Sequence, residues 1–227
     1  HAISYLLGSG ERPELLLVEE FECKQGEVLW RIDFTNVGQV PIEIGDIALP
    51  ETINTRGSTY ATLLNMHRFI AGHGSFIYWF RADGSGDRLV MTPSKGTALE
   101  YFAGERIAFI HSAATGTAER RGTWRKEHTS VTLSPNETVS YGFSLRLAEG
   151  YSGVREVLYE QGLFDVHVVP GMVVPRDLKA TFCLRTKNAL DSKSIEAEFP
   201  NETQIEYLGK RAGNAHLYRV RFDRLGE

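Results

Sequence analysis

Apolar and polar residues alternate with a period of two along almost the whole of this chain, in short runs broken by Gly, Pro, Asn and Asp. Successive side chains of a β-strand point to opposite faces, so this rhythm predicts strands and argues against a helical architecture. In "EVLWRIDFTNVG", Val28, Trp30, Ile32 and Phe34 fall on one side, with Glu27, Leu29, Arg31 and Asp33 on the other, as in a sheet with one wet face. "QVPIEIGDIAL" reads as a further extended piece, its Pro41 suited to an edge. "SFIYWFRADGSGDRLVMTP" and "TSVTLSPNETVSYGFSLRLA" each hold two runs around a turn and read as hairpins, the second with Pro135 at the turn position its fixed φ suits. Only "GVREVLYEQG" has helical spacing: Val154, Val157, Leu158 and Gln161 share a side, and Gly162 can stop the helix.

Past "FDVHVVPGMVVP" the rhythm restarts in short runs at "KATFCLRT", "SIEAEFP", "TQIEYLGK" and "HLYRVRFD". The expected fold class is all-β: a large antiparallel β-sandwich over residues 1–163, then a small Ig-like β-sandwich over residues 164–227. A second sheet of that size usually needs another strand or two, and the chain opens on His1 rather than Met, so a fragment of a longer protein is expected.

Within "HRFIAGHGSFIYWF", the run Phe76–Phe80 is apolar on both faces and reads as a central, covered strand. His67, Arg68 and His73 stand among Ala71, Gly72 and Gly74, where exposed backbone makes them better candidates for contacts. "GTAERRGTWRKEH" gathers Arg120, Arg121, Arg125 and Lys126 around Trp124. Guanidinium groups beside an exposed indole suit a sugar ring or a carboxylated glycan, by stacking and bidentate hydrogen bonding. The alternative is a solvated loop whose Trp124 is tucked inward as an anchor.

Several chemistries lose their simplest support. There is no GxSxG elbow, no phosphate-cradling loop ending in Lys-Ser/Thr and no paired CxxC. His67, His73 and His111 lack a ligand spacing, and "DGSGD" places Arg88 where a calcium loop needs Gly, so neither metal nor cofactor is expected. Asp46, Glu51, Glu100 and Glu105 are among many carboxylates, but their neighbours single out no acid–base pair of the kind glycoside hydrolysis needs. Lys plus Arg number 25 against 29 Asp plus Glu, a net −4 that favours neither nucleic acid nor an anionic membrane as partner. No run has membrane-spanning length, and His1 onward does not read as a signal peptide, so none is expected within these residues. Cys23 and Cys183 lie in strand-like runs and read as free buried thiols, a disulfide closing one long loop being the alternative, and the "NET" stretches at Asn136 and Asn201 read as turns, with glycosylation acceptors in a secreted protein as the alternative.

With "RFIAGHGSFIYWFRADGSGDRLVMTPSKGTALEYF", "GTWRKEHTSVTLSPNETVSYGF" and "GVREVLYEQGLFDVHVVPGMVVPRDLKATFCLRTKN" in order, the chain resembles the N-terminal β-rich region of a microbial family of uncharacterised six-hairpin glycosidase-like proteins. The resemblance implies a large β-sandwich preceding an (α/α)6 toroid, with the catalytic acid and base on that toroid's helices. It therefore implies no catalytic residue in this chain, a glycan or polysaccharide and the C-terminal (α/α)6 domain as partners, and a secreted or periplasmic location. Trp124, Arg121 and His73 remain the candidates for glycan contact. The rival expectations are an independent carbohydrate-binding module and a free-standing carbohydrate-active enzyme.

Overall fold

The computed structural model describes residues 1–8, 14–50, 63–66, 76–81, 83–103, 107–118, 128–171 and 173–225. In chain order the elements are β1 (Ala2–Leu7), β2 (Leu15–Lys24), β3 (Glu27–Asn36), β4 (Ile42–Ile44), β5 (Asp46–Pro50), β6 (Leu63–Met66), β7 (Ile77–Phe80), β8 (Arg88–Pro93), β9 (Tyr101–Ala103) and β10 (Ile107–Ser112). There follow α1 (Ala113–Ala118), β11 (Val131–Leu133), β12 (Thr138–Ala148), α2 (Gly150–Glu160), β13 (Asp165–Val169), β14 (Ala180–Arg185), β15 (Thr203–Arg211) and β16 (Ala215–Phe222). Every paired strand is antiparallel, so the all-β sandwich class follows directly from the period-two sequence. The chain forms two compact units, His1–Val154 and Arg155–Glu227.

In the first unit a seven-stranded sheet runs β1-β2-β3-β12-β8-β7-β6, and a second layer is built from β5-β10-β9 and β11-β4. The core lies between them. Ile32, Phe34, Tyr141, Phe143, Met91, Ile77 and Trp79 come from the large sheet, and Ile47, Leu49, Ala108, Ile110 and Leu133 from the smaller ladders. Alternation along β3 holds as read: Ile32 and Phe34 are buried while Arg31 is exposed. A fully buried side chain such as Phe143 contributes about 2–3 kcal/mol.

The Phe76–Phe80 run divides by parity. Ile77 and Trp79 enter the core, and Phe76, Tyr78 and Phe80 stack along the other face with centroids 6.2 and 5.6 Å apart. That second face is covered in part, with Tyr78 and Phe80 only half-buried and Tyr151 edge-on to Tyr78 at 6.4 Å. The β7–β8 hairpin forms as expected, closed by an Asx turn in which the Asp83 carboxylate accepts the Ser85 amide at 2.8 Å. Arg88 donates to the carbonyls of Gly86 and Gly84 at 2.5 and 3.1 Å, occupying the inside of the turn with its own cation.

The second expected hairpin does not form as one. The turn is there, with Glu137 N–H on the Ser134 carbonyl at 2.9 Å, but β11 pairs with β4 while β12 pairs with β3 and β8. The reason is Asn36, wholly buried at the end of β3. Its Nδ2 donates to the carbonyls of Leu133 and Val40, both at 2.8 Å, and its Oδ1 accepts the Gly38 amide at 2.9 Å. Its backbone bonds Glu137 and Asn136. This hub parts β11 from β12 and sends them to different layers. Similarly "QVPIEIGDIAL" divides at Gly45 into β4 and β5, which belong to separate ladders.

The second unit carries the sheet β13-β14-β16-β15 around the fully buried Tyr218, whose hydroxyl donates to the Asp191 carbonyl at 2.7 Å. α2 ends as the sequence reads. Gly162 takes φ 73°, its N–H reaches the Tyr159 carbonyl at 3.0 Å, and Leu163 N–H reaches Leu158 at 2.9 Å, the paired bonds of a Schellman cap. "SIEAEFP" is no strand. Ile195, Ala197 and Phe199 are alternately half-buried without a ladder partner, so its period-two pattern records burial alone. Both "NET" asparagines stand in turns, Asn136 at φ 63° and Asn201 inside the turn closed by Glu202 N–H on Phe199.

Candidate functional site

Trp124 and Arg121, with Arg120, Arg125 and Lys126, lie outside the described residues, as do His73, His67 and Arg68. What the structure defines is the pair of stems between which residues 119–127 run: α1 on one side and His128-Thr129 on the other. Both are held by partly buried acidic side chains.

Asp46, in β5, accepts the amides of Ala114 and Thr115 at 2.9 and 3.1 Å and the Thr115 hydroxyl at 2.7 Å, satisfying the otherwise unpaired donors that open α1. The β10–β5 register shifts between Phe109 and His111, a bulge of the kind that re-aims a side chain. His111 reaches Tyr141 of the opposing sheet, with Nε2 2.7 Å from the phenol oxygen and Nδ1 2.6 Å from Thr129 Oγ1.

Glu100 is the acceptor on which the network converges. Its Oε2 takes the Ser112 hydroxyl and the Thr129 amide, both at 2.9 Å, and its Oε1 takes the Thr129 hydroxyl in a very short hydrogen bond. Donor direction then follows by elimination. Thr129 Oγ1, having given its proton to Glu100, accepts from His111 Nδ1–H, and in a neutral imidazole this leaves Nε2 to accept from Tyr141. Ser112 Oγ likewise accepts from His128 Nδ1 at 2.8 Å. Burial raises the Glu100 carboxyl, but the donors from His111, Thr129 and Ser112 outweigh it and hold the group below its usual range. Burial, and then the Glu100 charge, push the Tyr141 phenol up to about 12. The result is an anion surrounded by donors and a phenol kept neutral, a network that ties Thr129 and Ser112 to Glu100.

A second feature lies at the other end of the large sheet. Its inner face runs past the second layer as an apolar groove of Phe21, Val28, Trp30, Leu89, Leu145 and Leu147. Trp30 is flanked by Phe21, stacked at 5.7 Å, and Phe143, tilted at 5.6 Å, so its indole faces are engaged by the protein's own rings. Its Nε1 is buried without a hydrogen-bond partner among the described residues.

Of the network's members, sequence reasoning singled out Glu100 only as one of many carboxylates and His111 only as a lone histidine. Ser112, Thr129 and Tyr141 went unnoticed. The available signal was the pair His111-Ser112 and His128-Thr129 bracketing the Arg/Trp segment.

Fold and site together define a two-unit antiparallel β protein whose sandwich holds a satisfied polar network, built in part from residues that flank the Arg- and Trp-bearing stretch in sequence. Residues 107–227, more than half of the chain, match a family of unknown function (DUF5695), and the chain belongs to that family. No curated protein matches the sequence. Among solved structures, a polysaccharide lyase aligns with 98% of this chain and 32% of its own, at a TM-score of 0.62 and 16% identity, a likeness of fold. A GH36 alpha-galactosidase, AgaA from Geobacillus stearothermophilus in complex with raffinose, aligns with 70% of this chain and 26% of its own at TM-score 0.36 and 14% identity, too distant to bear on the fold. The chain thus spans about a third or less of each of these two solved proteins.

Proposed function

We propose that this chain is the non-catalytic β-sandwich region of a secreted glycan-degrading enzyme. It supports an (α/α)6 catalytic domain and contacts the glycan through Trp124, Arg121 and His73. The observation that carries this reading is the alignment of nearly the whole chain onto one third of a larger protein described as a polysaccharide lyase. The Glu100 network adds to it. A carboxyl held ionised cannot serve as a general acid at neutral pH, its oxygens are already engaged by Ser112 and Thr129, and the phenol beside it is hydrogen-bonded to His111, which favours positioning over acid–base turnover. The segment between His111-Ser112 and His128-Thr129 in sequence bears Arg121 and Trp124, whose residue types suit a carboxylated sugar. A polymeric substrate is too large to enter a cell, which supports a secreted or periplasmic location.

The test is a glycan-array screen of the chain and of Trp124→Ala, with circular dichroism confirming that both are folded. Selective binding that Trp124→Ala abolishes supports glycan contact. Silence of the folded wild type across the array, or binding that survives the substitution, overturns it. Release of product from polysaccharide by this chain alone would overturn the non-catalytic assignment.

A further inference from the structure

The seven-stranded sheet ends at β1, the strand AISYLL, which has β2 on one side and, among the described residues, no strand on the other. His1 N donates to the Phe21 carbonyl at 2.9 Å and Phe21 N–H returns to the His1 carbonyl at 2.8 Å, which sets the parity of the ladder. In an antiparallel pair hydrogen-bonded and non-bonded positions alternate. With the register Ile3↔Glu19 and Tyr5↔Leu17, residues 1, 3, 5 and 7 turn their backbone groups toward β2, and Ala2, Ser4 and Leu6 direct theirs away from it. A free row of N–H and C=O groups is a template for another strand.

Natural edges are usually guarded by charge, proline or a bulge. β1 has none of these. Ile3, Tyr5, Leu6 and Leu7 are 44–64% exposed, and no side chain of the strand is charged. The next strand, β2, carries Glu19, Glu20 and Glu22 and would repel a copy of itself. β1 meeting β1 brings no like charges together.

We propose that β1 is the interface of a two-fold dimer, pairing antiparallel with β1 of a second copy of this chain about an axis through Ser4. Parity selects this register. Ser4 opposes Ser4 and Ala2 opposes Leu6, each pair exchanging both backbone bonds through the outward-facing groups. Ile3 then opposes Tyr5 of the partner on the inner face, a β-branched/aromatic pair of the kind that stabilises sheets. On that face β2 sets Leu17 beside Tyr5 and Leu15 beside Leu7, so the pairing extends an apolar strip there, while Glu19 stands beside Ile3 at the strip's border.

The experiment is sedimentation equilibrium of the chain, with Ser4→Pro and Leu6→Lys. Proline at position 4 removes an N–H that points away from β2, so the fold keeps its β1–β2 ladder, and the lysine guards the edge with charge. The expected result is a reversible wild-type dimer whose dissociation constant rises about tenfold or more in each variant. A readout that needs no variant is amide exchange on the wild type. The Ala2, Ser4 and Leu6 amides should slow as concentration rises while those of Ile3 and Tyr5 do not. A chain that stays monomeric at the concentrations used for NMR, or a dimer indifferent to both substitutions with no alternation in exchange, would overturn the proposal.

Discussion

The imidazole of His128 lies directly against Gly116: a Cβ built on that glycine would overlap the ring at Cγ, Nδ1 and Cδ2. Gly116 sits inside α1, where alanine would ordinarily gain about 1 kcal/mol of helix propensity. Here the ring cannot retreat without giving up its bond to Ser112 at 2.8 Å. Gly116→Ala is therefore expected to lower stability by about 1–2 kcal/mol, read as a shift of the urea midpoint at unchanged slope. A more stable variant would show that α1 and His128 are not in this contact.

Glu100 should control the acid limb of stability. Its folded carboxyl titrates below the ordinary value of 4.5, so its contribution is complete above that pH and is lost as pH falls through the lower folded value. Glu100→Gln removes the anion and sets an amide NH2 or carbonyl against donors from Ser112 and Thr129. We expect a loss of about 2 kcal/mol at neutral pH and a flatter dependence of stability on pH below 4.5 than in the wild type. Equal acid limbs in the two proteins would place the carboxyl's pairing elsewhere.

Period two made the elements legible, because it reports which side of a strand is buried. β3, the β7–β8 hairpin and the Gly162 cap of α2 all stand where their residues indicated. Pairing was less legible. Ser134–Glu137 has the chemistry of a hairpin turn, but nothing local says that Asn36, about a hundred residues earlier, ties that turn between layers. Likewise Ile195, Ala197 and Phe199 alternate in burial without finding a ladder. The polar network was hidden for a related reason: a bulge is a property of two strands, and the shift between Phe109 and His111 exists only against β5.

Asn36 offers a direct check on that account of the turn. Asn36→Ala leaves the buried Leu133 carbonyl without this donor and frees the Val40 carbonyl and the Gly38 amide, which stand nearer solvent, and should cost about 2 kcal/mol. Asn36→Asp should do worse at neutral pH, since an anion would face two carbonyl oxygens. It should recover as pH falls and its carboxyl protonates into a donor. Thermal melts at pH 5 and pH 8, an interval chosen to span a carboxyl raised by burial, separate the two variants. An Asp variant as stable as wild type at the higher pH would remove Asn36 from its role as hub.

The thiols differ in a way the sequence did not show. Both are free, but Cys23 is exposed near the end of β2, contrary to the expectation of burial, whereas Cys183 is half-buried on β14. Burial pushes the Cys183 thiol up, the charge of Asp165 pushes it further, and Arg155 offsets part of this. The thiolate is the reacting species, so at neutral pH iodoacetamide should modify Cys23 first by about tenfold or more. The gap should narrow as pH rises toward the range where Cys183 ionises. Mass spectrometry of the two peptides over a time course gives both rates, and equal rates at neutral pH would contradict the burial of Cys183 beside Asp165.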